Sequence, residues 1–384
     1  MKVAIIHDYF NQNGGAEKVV ETILEIYPQS DVYTSVYIPE NFIDNPITND
    51  RYKNNRIFTT FMNRIFVSNN QGNKFLKYSK HLYWLYPLAM YTLKVSNYDL
   101  VIVSSTYCAK NTRLSNNKTL IHYCHSPVRF LHNLITERDH STLPLWQKIV
   151  SKVILNPPLY LIDMSGVKNL IKNNAIWVAN SQFIRKTVND VYHVDSEVIY
   201  PPVEISKFSQ IVREVPEDEF YLCHGRISFH KRLDLAINAC IKLNKKLVIS
   251  GKSALETDMN NLQKLVPEDK QDLIIFLGRT TDDKLKELVS SAKVMIFPGK
   301  EDAGIAPIEM IAGGLPVIAY KSGGALEYIE DGVNGIFFDN QEEEDVVDAI
   351  KRFENTKFND LSIRGSITKF SKENFKTQFK ELEK

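Results

Sequence analysis

Cysteine is scarce in this chain of 384 residues, and its four cysteines are scattered. Cys108, Cys124, Cys223 and Cys240 make no Cys-x-x-Cys pair and no metal-ligand spacing. That excludes a disulfide framework and a structural zinc site, and four reduced, buried thiols are expected. Long apolar runs are missing as well, and none reaches the length of a membrane span. The opening run Val3–His7 is too short for the core of a signal peptide, so we expect a protein made and kept in the cytoplasm. A net charge of +1 gives the whole chain no pull on nucleic acid, and no nucleic-acid-binding motif is present. No Asp-x-Asp string offers paired carboxylates to a divalent ion, so we expect no essential metal and no cofactor.

What the chain has is length and alternation. Two domains of ordinary size are expected, and an apolar fraction of 43% lets each bury a core. Short apolar runs read as strands at Val3–His7, Val32–Ser35, Leu100–Ser104, Thr119–Tyr123 and Ala175–Ala179 in the first half. In the second half they fall at Phe220–His224, Lys246–Ser250, Leu273–Leu277, Lys293–Phe297, Pro316–Ala319 and Gly335–Phe338. Helical periodicity fills the gaps at Ala16–Ile26, Trp146–Asn173, Gln182–Tyr192, Lys231–Leu243, Asp282–Ala292 and Glu342–Glu354. Buried strands alternating with helices predict an α/β protein with doubly wound parallel sheets. Ligands of such sheets sit at the carboxyl ends of the strands. Pro201 and Pro202 forbid a continuing helix, so the domain boundary is placed in the string Val198–Glu204, with the second domain counted from residue 199.

The stretch Pro298–Pro316 is the most informative. It sets Glu301 and Glu309 eight positions apart, across the small-residue turn Asp302–Pro307. A strand precedes the turn, and a helix over Ala306–Gly313 follows it, with Pro307 where a first-turn proline is tolerated. The helix N-terminus offers backbone N–H groups to an anion, and carboxylates accept hydrogen bonds from sugar hydroxyls. A nucleotide sugar, with hydroxyls on both sides of a diphosphate, would use all of these parts.

Other strand ends carry chemistry too. Val3–His7 runs into a loop ending in Gly14 and Gly15, where the backbone can come close to a ligand. That loop is not Gly-x-Gly-x-x-Gly, so a dinucleotide is not predicted. His125 falls at the carboxyl end of Thr119–Tyr123, whereas His122 reads as a satisfied core histidine. Phe220–His224 ends in Gly225-Arg226, with Lys231 and Arg232 shortly after. Arg226 can grip a phosphate bidentately and Lys231 acts as a point charge, although Arg232 beside it leaves the register open. From Arg51 to Lys94 there is no acidic residue. Arg51, Lys53, Arg56, Lys74, Lys77 and Lys80 are interleaved there with aromatics including Trp84, which suits an anionic lipid surface or the acceptor. The bland alternative is that these aromatics are core.

In that setting Glu301 and Glu309 resemble the Glu-x7-Glu signature of retaining glycosyltransferase family 4, a group with the GT-B fold. Gly313–Ile318, Ser322-Gly323-Gly324-Ala325 with Glu327, and Asp331–Gly335 look like the turn, strand and closing segment that follow it. The resemblance covers nearly the whole chain and is weakest over residues 38–94. It implies two Rossmann-like domains facing each other across a cleft. Residues 1–198 would bind the acceptor, residues 199–371 the nucleotide sugar, and residues 372–384 would form a helix crossing back to the first domain.

The resemblance also assigns roles. Gly14 and Gly15 would face the diphosphate, and His125 would bond the transferred sugar near its anomeric centre. Gly225, Arg226 and Lys231 would hold the diphosphate with the N–H groups around Gly304, Ile305 and Ala306. Gly251 and Gly278 would flank the base, Glu301 would hold sugar hydroxyls, and Glu309 the ribose. His125, Arg226, Lys231 and Glu301 form the implied catalytic set.

The implied reaction moves a hexose from a nucleotide diphosphate sugar to an acceptor hydroxyl with retention. The strings His7-Asp8-Tyr9, Gly14–Glu17 and Tyr123–Phe130 look most like bacterial mannosyltransferases of surface-polysaccharide assembly. Those use GDP-mannose and lipid-linked acceptors, at the inner face of the cell membrane. A UDP-sugar donor, a nucleotide-sugar 2-epimerase on the same fold and a non-catalytic partner subunit remain the alternatives.

Overall fold

The structure is a computed structural model that describes residues 1–12, 14–42, 45–67, 82–132, 134, 150–253 and 256–383. Two compact units divide the described chain, with breaks at Pro202/Val203 and Lys372/Glu373.

The first unit contributes β1 (Val3–His7), β2 (Asp31–Thr34), β3 (Ile57–Thr59), β4 (Lys94–Ser96), β5 (Leu100–Ser105), β6 (Arg113–Ser115), β7 (Thr119–Cys124), β8 (Ile176–Ala179) and β9 (Glu197–Val198). Seven of these form one parallel sheet in the order β3-β2-β1-β5-β7-β8-β9, and β4 pairs with β6 separately. Along β1, Ala4 and Ile6 enter one core while Val3 and Ile5 enter the core on the other face. Both faces are covered, which is why the strand reads as an unbroken apolar run.

The second unit contributes β10 (Tyr221–His224), β11 (Leu247–Ser250), β12 (Ile274–Gly278), β13 (Val294–Phe297), β14 (Val317–Tyr320) and β15 (Gly335–Phe338). They form a parallel sheet in the order β12-β11-β10-β13-β14-β15. Its core holds Tyr221, Ile249 and Ile296 against Ile237 and Ile350 from the covering helices.

Three expectations are corrected. The boundary lies after Pro202, because β9 pairs with β8 and Ile199 is still core of the first unit. Ile199 donates its N–H to Ala179 O at 3.1 Å, and its carbonyl accepts from Tyr123 Oη at 2.8 Å. The helix expected over Trp146–Asn173 is, in its described part, a π-helical turn Val150–Leu155 followed by an α-helix Asn156–Lys172. Pro157 and Pro158 lack the N–H an unbroken α-helix would need, and they stand in its first turn instead. Lys231 is not in the α-helix: it ends a short 3-10 turn, Phe229–Lys231, and the α-helix starts at Leu233.

The final helix, Lys372–Glu381, packs within the first unit. Phe375 and Phe379 stack with centroids 5.4 Å apart beside Tyr123, and Lys376 pairs with Glu25 at 2.7 Å. All four cysteines are buried and unbonded to one another. Among the described residues no helix is long and apolar enough to cross a membrane.

Candidate active site

In the second unit strand order reverses between β10 and β13, which are neighbours. A ligand crevice opens at the carboxyl ends of the strands at such a switch point. Here β10 delivers Gly225 and Arg226, and β13 delivers Pro298 to Glu301. Gly225 N–H donates to Ser250 O at 3.0 Å and Gly251 N–H to Gly278 O at 2.7 Å. The three glycine loops are thus stitched together by main-chain bonds. Gly251, at φ 146°, admits no side chain, since a Cβ there would collide with the Gly225 carbonyl.

Arg232 takes a left-handed conformation, φ 51°, and turns its guanidinium onto Asp234, with Nη2 2.9 Å from Oδ2. The register that the sequence left open is thereby resolved: Lys231, not Arg232, enters the crevice. A shallow depression there is lined by His224, Gly225, Arg226, Lys231, Phe297 and Pro298. Lys231 Nζ pairs with the Glu301 carboxylate and lies 5.1 Å from the Phe297 ring centroid. A Cβ built on Gly225 would lie 4.0 Å from both Lys231 Nζ and Ala306 Cβ, so the helix start is adjacent to the cation.

That helix runs Ile305–Ala312 from Gly304, whose φ of 69° suits glycine and whose absent side chain makes room for Tyr328. The N–H groups of its first turn have no intrahelical acceptor. Glu301 is held by its backbone, its carbonyl accepting from Gly324 N–H at 2.8 Å. Glu309 stands about one turn into the helix, part-exposed. The structure therefore gathers Gly225, Arg226, Lys231, Glu301 and Ala306 in one place. Two cations and the N–H groups at the helix start can neutralise a diphosphate, while a carboxylate beside them can accept hydroxyl bonds.

In the first unit the order reverses between β1 and β5, and three strand ends meet in sequence-distant contact. His7 Nδ1 lies 3.2 Å from Ser104 O and 3.1 Å from Ser104 Oγ, and Ser104 Oγ lies 2.8 Å from His125 Nε2. Burial pushes the His125 imidazole down to about 3, and it also lowers His7. Beside them the buried Asp8 carboxylate accepts four backbone N–H groups, from Thr106, Tyr107, Cys108 and Ala109, at 2.6–2.8 Å. Asp8 thereby fixes the turn that follows β5. Gly14 caps the helix Gly15–Ile26 and donates its N–H to Glu17 Oε2 at 3.0 Å. Burial pushes the Glu17 carboxyl up to about 7.

His122 is core, as expected, but it is not satisfied. Neither ring nitrogen has a hydrogen-bond partner, and the ring stands edge-on to Trp177 at 4.3 Å. Burial holds it neutral, well below the usual histidine value.

The basic and aromatic stretch divides. Arg51 is withdrawn from any surface role: it is 7% exposed, and its guanidinium donates to the carbonyls of Ile47 at 2.9 Å and Pro28 at 2.7 Å. It ties a helix end to the chain after the first helix, where carbonyls lack partners. Arg56 pairs with Asp31 at 3.1 Å and is half-buried. Lys53 and Arg64 are exposed, as are Tyr52, Phe58, Phe61, Trp84 and Tyr91. Lys74, Lys77 and Lys80 lie outside the described residues.

Several residues gave no sequence signal of their role. His230 Nε2 reaches within 3.7 Å of Glu301, one residue before Lys231. Ser104 and His7 matter only through His125. A buried cluster joins Lys110 to Asp163 at 2.7 Å, with His132 at 3.0 Å and Tyr192 at 3.1 Å from the same carboxylate. Lys110 is held protonated: burial disfavours its charge, but Asp163 outweighs that and moves the pKa up. Its members come from four separate segments, so no spacing marks them.

Residues 204–369 match the family model described as glycosyl transferases group 1. The human alpha-1,3/1,6-mannosyltransferase ALG2 is 28% identical over 65% of this chain, and the chain spans 63% of that relative. The O-antigen chain mannosyltransferase RfbU of Salmonella typhimurium is 26% identical over 62% of this chain and 69% of its own. Among solved structures, Anabaena Alr3699/HepE in complex with UDP and glucose aligns with a TM-score of 0.63 at 18% identity, over 99% of this chain and 98% of that one. At that identity the likeness is one of fold, the GT-B class of two Rossmann-like parallel-sheet domains.

Proposed function

We propose, from the match of residues 204–369 to the group 1 glycosyl transferases, that the chain moves mannose from GDP-mannose, with retention, to an acceptor hydroxyl on a lipid-linked or oligosaccharide chain in cell-surface polysaccharide synthesis. The observation that carries this reading is the meeting of Arg226, Lys231 and Glu301 beside the start of the helix Ile305–Ala312, at the switch point of the second sheet. The mannosyltransferase relatives support the sugar, and RfbU supports the polysaccharide setting.

In the step proposed, the bond from the anomeric carbon to the diphosphate oxygen breaks and a bond to the acceptor oxygen forms on the same face. The acceptor proton goes to an oxygen of the departing nucleoside diphosphate. Arg226, Lys231 and the helix N–H groups stabilise the charge that grows on that leaving group. Glu301 holds donor hydroxyls, Glu309 the ribose, and His125 the sugar near its reacting carbon. Positive charge is supplied by side chains, so no divalent ion is required and transfer survives EDTA. The exposed Lys53 and Arg64 among Tyr52, Phe61 and Trp84 suit an anionic membrane surface, which supports the proposal that the enzyme works at the inner face of the cell membrane.

The test is thermal stabilisation by a panel of GDP-, UDP- and ADP-sugars without added metal, since a ligand that binds the folded state raises its stability. A shift with GDP-mannose, lost in Arg226→Ala, is the expected result. A shift confined to UDP-sugars overturns mannose while keeping the transferase. Conversion of the free nucleotide sugar without acceptor points to an epimerase. Silence from every donor points to a non-catalytic partner.

A further inference from the structure

The triad of strand ends in the first unit fixes a proton that the chemistry depends on. A carbonyl oxygen only accepts hydrogen bonds, so the ring nitrogen of His7 facing Ser104 O, at 3.2 Å, carries its proton. That Nδ1–H is shared with Ser104 Oγ at 3.1 Å, and one lone pair of the hydroxyl is thereby used. The hydroxyl has a single proton, and the acceptor left to it is His125 Nε2, at 2.8 Å. His7 and Ser104 are partners in the β1–β5 register, and His125 directly follows β7, whose Cys124 pairs with Ser105. The relay is therefore built from two paired strand ends and the first residue beyond a third. His125 is anchored by its backbone as well: its N–H donates to Ser105 O at 3.0 Å and its carbonyl accepts from Asn180 Nδ2 at 3.0 Å.

We infer that His7 and Ser104 are positioning residues that lock His125 as the neutral tautomer with its proton on Nδ1. This rests on the reading of His125 as a sugar-binding group, and it changes what that group does. With Nε2 occupied as an acceptor, the imidazole contributes one donor, Nδ1–H, toward a ligand oxygen. It serves as a hydrogen-bond donor and not as a general base. The burial that keeps both rings and the Ser104 hydroxyl dry agrees with a neutral imidazole.

The test is nitrogen NMR of the full chain labelled at histidine, with His125 assigned by its loss in His125→Gln. The expected spectrum shows a protonated Nδ1 and a bare Nε2 for His125, unchanged from pH 6 to 8. A proton on Nε2, or an imidazolium in that range, overturns the inference. Ser104→Ala should mix the tautomers and lower kcat for sugar transfer, by analogy with the roughly 10- to 100-fold lost when the partner that orients a metal-bound histidine is removed. Ser104→Thr should restore both. If Ser104→Ala leaves the His125 signals in place, the relay is wrong whatever happens to activity. The NMR readout needs no donor, so a protein with the locked tautomer that binds no nucleotide sugar would fail the functional reading and leave this one standing.

Discussion

Lys231 and Glu301 ion-pair with each other at the carboxyl ends of β10 and β13, although each is assigned to a different part of the donor. The cation proposed for phosphate and the carboxylate proposed for sugar hydroxyls hold each other, so a nucleoside diphosphate bound there would loosen that pair. Glu301→Gln should tighten binding of the bare nucleoside diphosphate roughly two- to fivefold, the about 0.5–1 kcal/mol of a partly exposed pair. The same variant should lose sugar transfer, because the hydroxyl acceptor is weakened. Calorimetric titration with GDP checks this, and weaker binding in Glu301→Gln would sink the idea.

Lys231 and Arg232 are adjacent cations with opposite fates. Lys231→Ala should lower transfer about 100- to 1,000-fold, the usual loss on removing one preorganised charge donor. Arg232→Ala should cost about twofold or less, since Asp234 already holds that guanidinium away from the crevice. Equal losses in the two variants, measured as kcat/KM, would contradict the register.

Acid should destabilise the first unit through its buried histidines. His7, His122 and His125 all have their pKa lowered from 6.5 by burial. The unfolded chain therefore takes up protons first as pH falls. Their stabilisation is present above about pH 6.5 and is lost progressively below it. His122 has no hydrogen bond to lose among the described residues. His122→Phe should flatten the fall of Tm between pH 8 and pH 5, and an unchanged slope would refute this.

Attachment to anionic lipid should depend on the exposed cations and not on the buried one. Each of Lys53→Ala and Arg64→Ala should weaken partitioning onto phosphatidylglycerol vesicles by about fivefold, or about 1 kcal/mol per charge near the surface. Arg51→Met should change stability and leave vesicle binding as it was, because its guanidinium already serves backbone carbonyls. Co-sedimentation at fixed ionic strength separates these outcomes.

Much of this architecture is local in origin. Strands buried on both faces must be apolar without interruption, so β1, β7 and β13 could be read within a residue of their ends. The short strands β3, β4, β6 and β9 could not, because each is two or three residues long and partly polar. Their pairing comes from neighbours, not from pattern. In the candidate site, Arg226, Lys231 and Glu301 were expected near one another because each follows a strand end beside glycine, and the structure sets Lys231 against Glu301 and beside Arg226.

By itself the sequence determined the alternation that makes two doubly wound sheets, and the residue types available at their carboxyl ends. Both follow from burial and backbone geometry along a few neighbouring residues. Only the tertiary structure decided how those residues are used. It pointed Lys231 at Glu301 by bending the chain at Arg232, turned Arg51 inward, and left His122 dry. It also brought His7, Ser104 and His125 together from three strands. Each of those outcomes depends on contacts between residues distant in the chain, and a hydrogen bond or an ion pair has no signature until both partners are in place.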